Sequence, residues 1–240
     1  MTANLESAPV SLTPVQENAF KQDGFIALQH FLDAPTLTAL RDYYDKIISG
    51  EIVLPGDRQL GGVTRQVMCP NEKIPFFADN PAVRAGKAIA EKIFGGAPVK
   101  LQFDMLIYKP PMHPKATPWH QDYSYSQHPF VPPGTEIPND SLQFWVPLDD
   151  VDPENGCMFF VAGQHRKPLN QHYVIGDSTM DARLLATDAF GPANEPNAGT
   201  PCPLPAGGCT IHYYGTPHYT PPNKSQTRGR RAYIFNIQKA

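Results

Sequence analysis

The chain has 240 residues, a formal net charge of −3 and 41% hydrophobic residues, enough to bury one core and too apolar for a disordered chain. Only 18% of residues are charged and no block of like charge stands out, which argues against nucleic acid or an acidic membrane surface as a partner. No apolar run reaches about 18 residues, so no membrane span is expected.

The opening "MTANLESAPVSL" lacks a basic stretch followed by an apolar one and does not read as a secretory signal. Cys69, Cys157, Cys202 and Cys209 include no C-x-x-C pair. Together these features predict a cytoplasmic protein with reduced thiols, with a Cys202–Cys209 bridge left open. "LTPVQENAFKQDGF" then predicts a helix, with Thr13 as N-cap, Pro14 at the first helical position, Glu17 in the first turn and Gly24 as the stop. "FIALQHF" reads as a short strand. "DAPTLTALRDYYDKIIS" is a second helix whose apolar face is Leu37, Leu40, Tyr44 and Ile47. Residues 50–72 read as a loop whose Arg58, Arg65 and Gln66 could meet an acidic group on substrate or cosubstrate, with surface charge as the favoured role. "NPAVRAGKAIAEKIFG" is a third helix, buried along Val83, Gly86, Ala90 and Ile93.

From there the pattern turns to strands: "VKLQFDMLIYKPP", "SLQFWVPLDDV", "CMFFVAG" after the turn "DPENG", "CTIHYY" and "RRAYIFNIQ". Residues 166–205 have weak periodicity and several prolines and glycines, which predicts a long loop that is either a lid or disordered. Helices first and strands later, with 27 prolines and 18 glycines for turns, predict an α+β chain with a single sandwich or barrel over residues 1–240.

"WHQDYSY" carries the first candidate chemistry. In extended backbone His120 and Asp122 share a face, and an imidazole beside a carboxylate supplies two of the three ligands of a 2-His-1-carboxylate iron site. The alternative is an ordinary polar turn. A second histidine must come from a distant strand, and "IHYYGTPHYTPPNKSQTRGRRAYIF" offers His212 and His218. The same segment carries Arg228, Arg230 and Arg231, any of which could grip a dicarboxylate through a two-pronged contact.

Four blocks in this order, "MLIYKPP", "WHQD", "FWVPLDDVDPENGCMFFVAGQHR" and "HYTPPNKSQTRGRRA", resemble the phytanoyl-CoA dioxygenase family of Fe(II)/2-oxoglutarate oxygenases. The opening helix and strand are similar to that family as well, so the likeness runs from about residue 12 to residue 237. It implies a double-stranded β-helix, a cupin-like jelly roll with the N-terminal helices packed on one sheet. It further implies His120, Asp122 and His218 as the iron ligands, and His212 as a nearby strand histidine that is not one. Thr220, Met105, Gln121 and Trp145 fall where the family has 2-oxoglutarate-pocket residues. The family's arginine position lands on Gly229, and aligning on "RRA" shifts it to Arg230, with Arg228 and Arg231 as the other candidates. Alternation allows only one of Arg230 and Arg231 to face inward.

The implied activity is hydroxylation or desaturation of a C–H bond in a small organic molecule, such as a secondary metabolite or amino-acid derivative. 2-Oxoglutarate and O2 would become succinate and CO2. The expected assembly is a monomer or homodimer. Tyr123, Tyr125, His128, Phe130 and Tyr214 form an aromatic group for the substrate pocket or the barrel mouth. Asp122 argues against a halogenase, which needs that position small. A zinc hydrolase has no use for the arginine. A non-catalytic metal-binding protein on the same fold is the remaining alternative.

Overall fold

The computed structural model describes residues 10–60, 64–127, 130–175, 184–196 and 198–240. Helix α1 spans Pro14–Asp23. Thr13 and Gln16 close a reciprocal capping box at its start, and Gly24, at φ 85°, ends it in a left-handed turn. Strand β1 is Phe25–Leu28. Helix α2 is Ala34–Ile48, capped by Asp33, and buries Leu40, Tyr44 and Ile47. A fully buried aliphatic side chain of this kind contributes about 1.5–3 kcal/mol. The short helix α3, Pro75–Ala78, precedes α4, Pro81–Ile93, which Asn80 caps.

The remaining strands are β2 Asp57–Leu60, β3 Thr64–Met68, β4 Val99–Lys109, β5 Thr117–His120, β6 Ser141–Pro147 and β7 Met158–Phe160. They continue with β8 Tyr173–Ile175, β9 Leu184–Ala186, β10 Thr200–Cys202, β11 Cys209–Tyr213, β12 His218–Thr220 and β13 Arg230–Lys239. They form a seven-stranded sheet in the order β1-β11-β6-β13-β4-β3-β2, a four-stranded sheet β10-β7-β12-β5, and the pair β8-β9. All named pairings are antiparallel.

Alternation along the strands of the large sheet builds two cores. Phe144, Tyr233, Phe235 and Ile211 pack with the helices through Leu40, Tyr44, Val83 and Ala90. Trp145, Ile234 and Ala232 point the other way and meet Trp119, Phe160 and Tyr219 of the small sheet. Gly86 lets α4 lie close on this sheet, because a Cβ there would sit 2.5 Å from the Phe235 ring. The result is an α+β chain with two antiparallel sheets and helices on the outer face of the larger one.

The structure revises four readings of the sequence. Residues 50–72 are not a loop throughout, since β2 and β3 extend the large sheet with a register that pairs Arg58 with Gln66. Their Asp, Arg and Gln residues hide the apolar alternation by which strands are read. Arg65 is no free surface charge. It bonds Asp57 and donates to the carbonyls of Ile47 and Ile48, closing the end of α2. Residues 166–205 contain β8, β9 and β10, each three residues long and too short for a period to show. The four cysteines are free, so the Cys202–Cys209 bridge does not form. Among the described residues no helix is long and apolar enough to cross a membrane.

Candidate active site

Between the two sheets lies a cavity of about 470 Å³. Strand β5 ends at His120, and β12 begins at His218, and the two residues are direct cross-strand partners with ring centroids 4.1 Å apart. Gln121 is extended, at φ −117° and ψ 127°, so Asp122 returns to the face of His120 before the chain enters a 3₁₀ turn. His120, Asp122 and His218 bring one ligand atom each within 4.8 Å of one another, the only such cluster among the described residues.

Backbone carbonyls set the tautomers. His120 Nδ1 donates to Pro118 O at 2.8 Å and His218 Nδ1 donates to Thr216 O at 3.0 Å. Both Nε2 atoms therefore present lone pairs, at 3.5 and 3.6 Å from Asp122 Oδ1. Burial, with His120 alongside, pushes His218 well below the usual imidazole range. Burial raises the Asp122 carboxyl, and it is positive charge on the His218 and His120 side, with the His212 contact, that outweighs burial and holds the group well below the usual carboxylate range; where both Nε2 atoms keep their lone pairs, that charge has to be supplied from outside. Two neutral nitrogens and a carboxylate facing one another need a cation between them. This hard and borderline donor set suits a first-row metal such as iron.

His212 is outside that trio. Its Nε2 lies 3.3 Å from Asp122 Oδ2, so it holds the carboxylate oxygen that faces away from the two imidazoles. His212→Ala is expected to weaken Fe(II) binding about 10–100-fold, as removal of such outer partners commonly does, while the folded state persists. Anaerobic metal titration with circular dichroism as a control checks this.

Arg230 and Arg231 divide as alternation requires. Arg230 is 1% exposed, lines the cavity, donates to Thr220 Oγ1 at 3.3 Å and stacks over Trp145 at 5.5 Å. Arg231 faces the helices' side and pairs with Asp149 and Asp45, each at 2.7 Å. Arg228 pairs at the surface with Asp152 and Glu154. The turn "DPENG" contributes indirectly. Gly156, at φ 105°, takes a backbone conformation that suits glycine and packs beside Pro221 and the Arg230 guanidinium, where a Cβ would stand 3.3 Å from Pro221 O and 3.4 Å from Arg230 Nε.

Thr220, Met105 and Trp145 line the cavity with the three clustered residues. Gln121 does not, contrary to expectation. Its side chain turns away to donate to Gly215 O at 2.9 Å and to accept from Asn170. Its backbone N–H donates to His172 Nε2 at 3.1 Å. Sequence reasoning missed His172, a fully buried residue inside the expected loop that fastens this loop to the residue between His120 and Asp122. Tyr125 and Tyr214 line the cavity, whereas Tyr123 packs against Val131, Ile137 and Leu169. His128 lies outside the described residues. Arg58 and Gln66 take the less favoured of their two expected places and form a wall of the cavity, where Arg58 Nε donates to Gln66 and Gln66 Nε2 reaches Met105 Sδ at 3.1 Å.

A model of the family described as phytanoyl-CoA dioxygenase (PhyH) matches residues 20–232. The chain is 25% identical to the Bos taurus phytanoyl-CoA dioxygenase domain-containing protein 1, covering 95% of this chain and 91% of that one. It is similar to the crystal structure of EvdO2 from Micromonospora carbonacea var. aurantiaca, at 27% identity and a TM-score of 0.80, covering 98% and 94% of the two chains. The form of EvdO2 complexed with 2-oxoglutarate matches at 25% identity and a TM-score of 0.78, with the same coverage. The epimerase SnoN, solved in complex with Fe3+, alpha ketoglutarate and nogalamycin RO, shares the fold at 22% identity and a TM-score of 0.68, covering 93% of this chain and 82% of that one.

Proposed function

The chain belongs to the phytanoyl-CoA dioxygenase family, and on that premise we propose that it is an Fe(II)/2-oxoglutarate-dependent dioxygenase acting on a C–H bond of a small organic molecule. The observation that carries the reading is the joint placement, in one cavity, of the His120, Asp122 and His218 donors and a buried arginine. The two-sheet arrangement supports the double-stranded β-helix of such enzymes, with residues 1–240 as one dioxygenase domain. His120, Asp122 and His218 would hold the iron. Arg230 and Thr220 would take the distal carboxylate of 2-oxoglutarate, with Met105 and Trp145 as the walls around it. When bound, iron with 2-oxoglutarate and O2 supplies the oxidising power to break a C–H bond, with succinate and CO2 as coproducts.

The protein's own residues then bind, orient and exclude water. The carbonyls of Pro118 and Thr216 lock the imidazole tautomers, and His212 fixes the carboxylate. Tyr125, Tyr214, Arg58 and Gln66 also line the cavity and would bound the space left for the substrate. The outcome proposed is hydroxylation or desaturation. Because Asp122 occupies the position a halide would need, chlorination is not expected.

The test is succinate formation from 2-oxoglutarate, dependent on both Fe(II) and O2, with mass spectrometry on a panel of small organic molecules. One panel member should stimulate turnover and gain one oxygen atom or lose two hydrogens. Metal and 2-oxoglutarate binding without succinate under any condition would favour a non-catalytic binding protein.

A further inference from the structure

Lys109 is a fully buried lysine that no step above uses. It ends β4 opposite Arg230 at the start of β13, as direct register partners. Two like charges placed opposite on a sheet and both removed from water are a costly arrangement. Every side-chain hydrogen bond the structure gives this pair goes to one place. Lys109 Nζ donates to Thr220 Oγ1 at 2.9 Å, to Thr220 O at 3.4 Å and to Pro221 O at 3.0 Å, and Arg230 donates to Thr220 Oγ1 at 3.3 Å. Among the described residues no carboxylate lies within 4.0 Å of either cation.

A threonine hydroxyl has two lone pairs and one proton. Here Lys109 and Arg230 occupy both lone pairs, so the proton is left for an acceptor. Thr220 lines the cavity, and that acceptor must therefore come from the cavity side. We propose that Lys109 is a positioning residue for the cosubstrate: it fixes the Thr220 hydroxyl as a donor and backs Arg230 with a second positive charge, so that the subsite takes a carboxylate. This rests on the 2-oxoglutarate reading and extends it to a residue that does not touch the cosubstrate. Burial, and the facing Arg230, push Lys109 well below the ordinary lysine range, and a bound anion opposes that push.

The experiment is anaerobic titration of the Fe(II)-loaded protein, followed by its visible charge-transfer band, in wild type, Lys109→Met, Thr220→Val and the double variant. Each titration uses 2-oxoglutarate and then 2-oxobutyrate, which keeps the 2-oxo acid head and lacks the distal carboxylate. Lys109→Met and Thr220→Val should each weaken 2-oxoglutarate about 10–100-fold, the range for a hydrogen bond to a charged partner. The double variant should lose less than the product of the two single fold-losses, because part of the Lys109 effect passes through that hydroxyl. Fe(II) affinity and 2-oxobutyrate affinity should stay at wild-type values. Wild-type 2-oxoglutarate affinity in Lys109→Met, fully additive losses, or an equal loss for both 2-oxo acids would overturn the proposal. If Lys109→Met does not fold, Thr220→Val alone decides, and unchanged 2-oxoglutarate affinity there refutes it. A wild-type protein that shows no band at all would instead refute the underlying 2-oxoglutarate reading.

Discussion

His218→Ala is expected to abolish the charge-transfer band that Fe(II) and 2-oxoglutarate give with the protein under anaerobic conditions. The three donors come from two strands and a turn, and His120 and His218 face each other across one strand pair. Removing His218 leaves one imidazole and one carboxylate from the same short stretch, too few to hold iron in a fixed geometry. The substitution costs one buried hydrogen bond, to Thr216 O, while leaving the strand pairing in place, so the fold should survive, and an unchanged far-ultraviolet spectrum would show that it does. A full-strength band in His218→Ala would mean that the metal sits elsewhere.

Arg230→Ala should raise the apparent Michaelis constant for 2-oxoglutarate by a hundredfold or more, while Arg231→Ala leaves it nearly unchanged. Stranding a desolvated carboxylate without its charged partner costs about 3–5 kcal/mol, and each tenfold in affinity is about 1.4 kcal/mol. Arg230 is buried in the cavity wall with its guanidinium committed only to Thr220 and the Trp145 face. Arg231 is neutralised by Asp149 and Asp45 on the opposite face, so its loss should appear as a modest drop in melting temperature. A large effect of Arg231→Ala or Arg228→Ala on 2-oxoglutarate, with Arg230→Ala silent, would contradict this division.

Much of this was legible where a long period or a paired motif carried the signal. The faces of α2 and α4 follow from their 3.6-residue repeat, and β4, β6 and β13 are long enough for alternation to show. The same alternation separates Arg230 from Arg231. Strands β5 and β12 were not legible, since they are four and three residues long and carry polar side chains that serve the cavity. Lys109 reads as a charge at the end of a strand. Only the pairing of β4 with β13 puts it beside Arg230, and that pairing joins segments more than a hundred residues apart. His172 and Gln121 illustrate the same limit. The family resemblance suggested a cavity role for Gln121, whereas the folded chain uses its amide to tie Gly215 and Asn170 to the position between His120 and Asp122.

Iron anomalous diffraction from anaerobic crystals grown with Fe(II) and 2-oxoglutarate tests the proposed centre most directly. One iron peak should lie within bonding distance of His120 Nε2, His218 Nε2 and an Asp122 carboxylate oxygen, with the distal carboxylate of 2-oxoglutarate on the Arg230 guanidinium and the Thr220 hydroxyl. An iron peak away from those three side chains, or 2-oxoglutarate bound without contact to Arg230, would contradict it.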